Sequence, residues 1–249
     1  MLLLFDIDGT LTRGGPARKA FARALERTYG TAGAIGGHDF SGKTDAQSVR
    51  EILSAAGFGS EEIAAGLPDF LVRYLAGLKR RIGGEPTVAL PGTHALIGAL
   101  AARTDVFLGL VTGNVKGGAR MKLDAVGLWD AFPVGGFGSD HEDRNELPGF
   151  AMRRAAAHWN RAFRGEDTVI IGDTPRDIAC GKAVGAATVG VTTGRFSRAE
   201  LVAAGADRVL SGFGDPEHAI AALLDLWPVA SPFCGVEKPV ARGGGVRWS

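Results

Sequence analysis

Cysteine is nearly absent from this 249-residue chain, which carries only Cys180 and Cys234. The two are too far apart to form a C-x-x-C pair. That argues against a disulfide scaffold or a thiolate zinc site and points to a reducing compartment. Cys180, between Ala179 and Gly181 in a helical pattern, reads as a small buried residue. Long hydrophobic runs are missing too: no stretch approaches the ~20 apolar residues that span a bilayer. Met1 to Phe5 is too short for the core of a secretory leader, has no basic start and runs straight into acidic residues, so a cytoplasmic protein is expected. Nor is one sign of charge in excess. With 28 Lys and Arg against 27 Asp and Glu the net charge is +1, which favours neither nucleic acid nor a membrane surface as partner.

What is present is a repeated grammar of buried strands followed by polar loops. Leu2 to Ile7 is an apolar run broken only by Asp6 and leads into Asp8-Gly9-Thr10, as expected of a strand covered on both faces in a parallel sheet. The pattern recurs at Val106 to Val111 before Thr112-Gly113-Asn114 and at Thr168 to Ile171 before Gly172-Asp173-Thr174. Shorter versions lie at Ala187 to Val191 and Asp207 to Leu210. Amphipathic, Ala-rich helices are predicted between them, at roughly 92–103, 115–126, 148–163, 175–185 and 198–204, with Pro91, Pro148 and Pro175 suited to first turns. The fold class is therefore α/β, a Rossmann-like parallel sheet. Residues 14–85 break the rhythm, with helical patterns at 16–29, 44–56 and 60–82 and no buried strand. They read as an inserted helical cap hinged at Gly14-Gly15 and at Gly83 to Pro86. The expected core comprises 1–13 and 86–228. Residues 229–249 read as a loose tail that Trp227 and Phe233 would help to pin.

Three buried strands end in polar groups: Asp6 and Asp8 on the first, Thr112 on the second, Asp173 on the third. Ligands of open α/β sheets bind beyond the carboxyl ends of the strands, so these residues converge. Three carboxylates in one crevice repel unless a cation neutralises them, and hard oxygen donors favour Mg²⁺. Mg²⁺ held by few carboxylates pairs naturally with a phosphate ester, whose transfer needs an in-line nucleophile, cationic charge and hydrogen-bond donors.

Asp6-Ile7-Asp8-Gly9-Thr10, Leu110 to Asn114 and Gly172-Asp173-Thr174-Pro175-Arg176-Asp177 resemble, in order and in strand context, three motifs of the haloacid dehalogenase-like superfamily, and in layout its phosphoglycolate phosphatase-like branch with a helical cap. The resemblance implies that Asp6 attacks phosphorus and becomes an aspartyl-phosphate, while Asp8 protonates the leaving oxygen and then activates water. It implies that Asp6, the Asp8 main-chain carbonyl and Asp173 hold Mg²⁺, that Thr112 with the Gly113 and Asn114 N–H groups binds phosphate, and that Asp177 orders metal-bound water or a basic residue. Where the family commonly has lysine, this chain reads Asp143-Arg144-Asn145-Glu146-Leu147-Pro148. Arg144 takes that place, with Arg153 and Lys116 as rivals.

Gly37 to Thr44 fits G-x-x-x-x-G-K-[ST] letter for letter but lacks the preceding strand a P-loop requires, so nucleotide binding is disfavoured. The segment resembles the Gly-[Arg/Lys]-Thr-Asp stretch of helical caps, which makes Lys43 a candidate substrate contact; the competing reading is a solvated lysine. Asp140 to Asp143 reads as a solvated rim loop and His158 as structural. The expectation is a magnesium-dependent phosphatase acting on a small phosphorylated metabolite. A sugar phosphomutase is the alternative, and a catalytically silent binding module is a more distant one. A dehalogenase is disfavoured, because carbon–halogen displacement has no use for Asp8.

Overall fold

The computed structural model describes residues 1–226, so Cys234, Phe233, Trp227 and the expected tail lie outside the described residues. In chain order the elements are β1 (Leu2–Phe5), β2 (Thr12–Gly14), α1 (Ala17–Tyr29), α2 (Asp45–Ser54), α3 (Ser60–Arg81), β3 (Thr87–Ala89), α4 (Thr93–Ala101) and β4 (Phe107–Thr112). They continue with α5 (Lys116–Asp124), β5 (Val134–Phe137), α6 (Leu147–Trp159), β6 (Thr168–Gly172), α7 (Pro175–Ala183), β7 (Ala187–Val191), α8 (Arg198–Ala203), β8 (Arg208–Leu210) and α9 (Pro216–Leu224).

Six strands form one parallel sheet in the order β5-β4-β1-β6-β7-β8. The chain builds outward from β1 on one side, then crosses back and builds out on the other. The order thus reverses at β1, and the crevice that such a reversal opens lies beyond its carboxyl end. Every residue of β1 is buried because both faces are covered. Leu3 and Phe5 join Leu96, Ile97 and Leu100 of α4 and Leu223 of α9 on one face. Leu2 and Leu4 join Leu147, Ala151 and Trp159 of α6 on the other. This two-sided cover is what the continuous apolar run encodes. It leaves the strand no choice but to end where Asp6 begins.

One strand and one helix of the core are not among the expected elements. β5 is only Val-Gly-Gly-Phe, too glycine-rich to signal a strand. Its glycine has a packing reason: a Cβ on Gly136 would lie 2.0 Å from the Leu147 carbonyl oxygen, so only glycine lets α6 start so close to the sheet. α9 is an apolar, Ala-rich helix whose Pro216 opens the first turn and whose Asp215 side chain caps the His218 N–H. Pro148 and Pro175 do sit in first helical turns. Pro91 does not: it precedes the N-cap, Gly92, of α4.

Between β1 and β4 the helices α1, α2 and α3 pack on a separate apolar cluster built on Phe21, Phe70 and Tyr74, with Val115 reaching into it from the start of α5. The chain enters and leaves this block through β2 and β3, which pair antiparallel, Thr12 opposite Ala89 and Gly14 opposite Thr87. The segment matching the P-loop pattern begins in a short 3-10 turn, Ile35–Gly37, and the element before that turn is helix α1 rather than a strand.

Candidate active site

A cavity of about 440 Å³ opens beyond the carboxyl ends of β1, β4 and β6 and runs up to the helical block. Asp6, Asp8, Thr112, Gly113, Asn114, Arg144, Asp173 and Lys43 all line it. Each arrives by a local device. After β1 the chain turns tightly, the Leu11 and Thr12 N–H groups both donating to the Ile7 carbonyl. Gly9 adopts φ +85°, and a Cβ there would lie 2.4 Å from an Asp173 carboxylate oxygen. The glycine of the first motif is therefore required by the aspartate of the last. After β6, Thr174 caps α7 in a reciprocal box with Asp177, whose Oδ2 accepts from the Thr174 N–H at 3.0 Å and from its hydroxyl at 2.7 Å.

Asp6, Asp173 and Asp177 are buried and offer carboxylate oxygens within 4.8 Å of one another. Arg144, on a 3-10 turn (Arg144–Glu146), is 4% exposed and is the cation that meets them. One of its terminal nitrogens donates to Asp6 Oδ1 at 3.0 Å and to Asp177 Oδ1 at 2.5 Å, the other to the Gly42 carbonyl at 3.3 Å. Its rivals lie elsewhere: Arg153 stacks over Phe150 and Lys116 over Phe137. Asp177 is thereby saturated by Arg144 and Thr174. Asp173 accepts only a long bond, 3.4 Å, from the Thr10 hydroxyl among the described side chains.

One arginine does not balance three carboxylates. Burial, opposed by Arg144 and reinforced by Asp177 and Asp8, pushes Asp6 up to about 7. Burial together with Asp177 and Asp6 pushes Asp173 up to about 8. Such a donor set fits a hard dication, with Asp6 and Asp173 as the ligands left open. The unfolded chain releases these protons near pH 4 while the folded protein keeps them to pH 7–8, so it binds more protons than the unfolded chain across that window. The metal-free protein should accordingly lose stability as pH rises from about 4 to about 8. Thermal melts in chelator should show the midpoint falling over that range, and Mg²⁺ should recover it at pH 8 far more than at pH 5. A flat chelator profile would contradict the charge imbalance.

Asp8 differs. Its side chain is 46% exposed toward the cavity. Enclosure raises its pKa, but the Lys122 ammonium and the Asn114 amide outweigh this and hold it below the usual carboxylate range. Lys122 Nζ lies 2.6 Å from Asp8 Oδ2 and 2.7 Å from Asn114 Oδ1. The Asn114 amide donates to the same Asp8 oxygen and to the Thr112 hydroxyl, each at 2.8 Å. Sequence reasoning missed Lys122 altogether. The available signal was its place on α5, where Gly118, Ala119, Lys122 and Leu123 form the buried face and a lysine stands out.

The helical block closes the cavity from above. Asp45 N–H donates to the Gly113 carbonyl at 2.9 Å, and Asp45 Oδ2 accepts from the Val115 N–H at 2.8 Å. Half-buried there, Asp45 loses enough hydration to be pushed up to about 6. The start of α5 is thus turned to protein partners, Val115 to Asp45 and Lys116 N–H to Ser139. The rim loop is in part ion-paired, Arg50 of α2 gripping Glu142 at 2.6 and 2.8 Å and Arg154 gripping Asp140, while His141 and Asp143 are exposed. Lys43 reaches the cavity wall but is paired with Glu51. Cys180 is buried and donates to the Asp177 carbonyl. His158 is exposed, edge-on to Trp159.

The haloacid dehalogenase-like hydrolase family model matches residues 1–185. A phosphoglycolate phosphatase of Rhodospirillum rubrum is 29% identical, the match covering 85% of this chain and 87% of that one. A phosphoglycolate phosphatase of Synechococcus elongatus is 28% identical over 89% and 98% of the two chains. Among solved structures, a hydrolase from Pseudomonas syringae superposes with a TM-score of 0.68 at 21% identity, covering 90% of this chain and 99% of that one, a likeness of fold. With the motif aspartates lining one cavity beyond the sheet and the family model spanning most of the chain, this protein belongs to the haloacid dehalogenase-like hydrolases.

Proposed function

We propose that the chain is a Mg²⁺-dependent phosphatase that hydrolyses a small phosphate monoester through an aspartyl-phosphate on Asp6. The observation that carries this reading is the pairing of Asp6 with a buried guanidinium on one side and the under-satisfied Asp173 on the other, at the floor of the cavity. A bound divalent ion would supply the positive charge that keeps Asp6 ionised and offsets the charge on a phosphoryl group. Asp6, Asp173 and the Asp8 main-chain carbonyl would hold it.

Asp6 then attacks phosphorus while Asp8, two residues on, hands a proton to the leaving oxygen; in the second half Asp8 takes a proton from the attacking water. Thr112 and the Gly113 N–H face the transferred group, and the buried Arg144, whose Nε has no partner among the described residues, adds fixed positive charge beside it. Residues 14–85 serve as the cap. Their contacts with Gly113, Glu142 and Arg144 exclude bulk water when seated. The wall they present combines Arg18, Lys43, Ser48 and Tyr74 with Phe21 and Phe40, which suits a short, polar and anionic leaving group. That character agrees with relatives named for phosphoglycolate.

Phosphate release from a panel of small monoesters tests the reading. Turnover is expected with Mg²⁺ and a loss of at least about 100-fold in chelator. No release from any ester by folded, metal-loaded protein would sink it, and interconversion of phosphosugars with little free phosphate would reveal a mutase instead.

A further inference from the structure

We propose that Lys122 is a positioning residue for Asp8, one half of a clamp that sets the direction in which Asp8 delivers its proton. This rests on the phosphatase reading above. A lysine on the buried face of a core helix, 5% exposed, forfeits side-chain freedom and hydration and needs a compensating partner. Here the partner is Asp8, 114 residues away in sequence. Lys122 Nζ and Asn114 Nδ2 converge on a single oxygen, Asp8 Oδ2, at 2.6 and 2.8 Å. Lys122 also donates to Asn114 Oδ1 at 2.7 Å, so the three side chains close a triangle, and Thr112 Oγ1 holds the amide from behind at 2.8 Å.

With Oδ2 gripped by two donors, the carboxylate cannot spin about its terminal bond, and Oδ1 is left to the cavity that Asp8 lines. Proton transfer falls off steeply when donor and acceptor are misaligned, so a free-spinning Asp8 would protonate a leaving group poorly. The clamp is anchored on α5 and at the end of β4, both in the core, so it persists whether or not the helical block is seated.

The consequence is selective, which makes it testable. An alkyl phosphate leaves as a strongly basic alkoxide and needs Asp8's proton, whereas an aryl phosphate leaves as a stabilised phenolate and barely needs it. Lys122→Met keeps the apolar stem and removes the ammonium. Its kcat/KM, which covers the step in which the leaving group departs, should fall on the order of 100-fold for an alkyl ester and no more than about 5-fold for an aryl ester. In an Asp8→Asn background the same change should add little, because the group it positions is gone. Equal losses for both esters, or additive losses in the double variant, would show a merely structural lysine and overturn the proposal. If Lys122→Met does not fold, Lys122→Gln, which keeps a shorter donor, is judged by the same ratio. A wild-type protein that cleaves neither ester would bring down the phosphatase reading and this inference together, whereas equal losses overturn this inference alone.

Discussion

Asp6→Asn should reduce phosphate release by about 10⁴-fold or more while leaving the fold intact. The amide has the shape of the carboxylate but no anionic oxygen to attack phosphorus. Its carbonyl oxygen still accepts from Arg144, whose second carboxylate partner, Asp177, is untouched. Replacing a buried acid by an amide also relieves the repulsion that pushes Asp6 up to about 7, so the variant should melt no lower than wild type in chelator. The diagnostic measurement is covalent labelling. Wild type quenched in acid during turnover should carry one phosphoryl group per chain, and Asp6→Asn none. Full activity or full labelling in the variant would place the nucleophile elsewhere.

Arg144 has the second large effect, and it divides between stability and catalysis. Arg144→Met removes the only cation in contact with Asp6 and Asp177 among the described residues and leaves three carboxylates facing one another in the core. Breaking a buried ion pair from one side costs about 3–5 kcal/mol, since the abandoned charge remains. Denaturant unfolding in chelator should register that loss, and saturating Mg²⁺ should restore part of it by supplying charge at the same place. Arg144→Lys keeps the charge but not the planar fork. A single ammonium cannot bridge Asp6 and Asp177 while also donating to the Gly42 carbonyl. We expect stability near wild type and a kcat lower by about 10–100-fold. An Arg144→Lys enzyme with unchanged kcat would mean that charge alone matters at this position.

Much of the architecture was legible from local pattern. Buried parallel strands need continuous apolar runs, and β1, β4, β6 and β7 show them. The elements that were not legible are those whose residues answer to a neighbour. β5 is written in glycine because α6 presses against it. β2 and β3 are three-residue strands that exist because the chain crosses twice at the same place. Arg144 was reachable by registering one motif, but its two carboxylate partners were not, since they lie 138 and 33 residues away. Arg50 and Glu142 form their ion pair across 92 residues and two different packing units. Lys122 was the main omission. On a helix read by periodicity a lysine counts as solvent-facing, and only the fold reveals an acid waiting for it inside.

The sequence by itself determined the buried strands β1, β4, β6 and β7, the helical character of much of the stretch between β1 and β4, and the convergence of Asp6, Asp8, Thr112 and Asp173. The physical reason is that a strand buried on both faces must be apolar throughout, and its first polar residue marks the sheet edge where ligands bind. Tertiary structure alone decided how those carboxylates are balanced: Arg144 beside Asp6 and Asp177, Lys122 and Asn114 on Asp8, and Asp173 with only the Thr10 hydroxyl among the described side chains. Charge in a low-dielectric site is settled by distances of a few ångströms between residues remote in the chain. No spacing along the sequence records them.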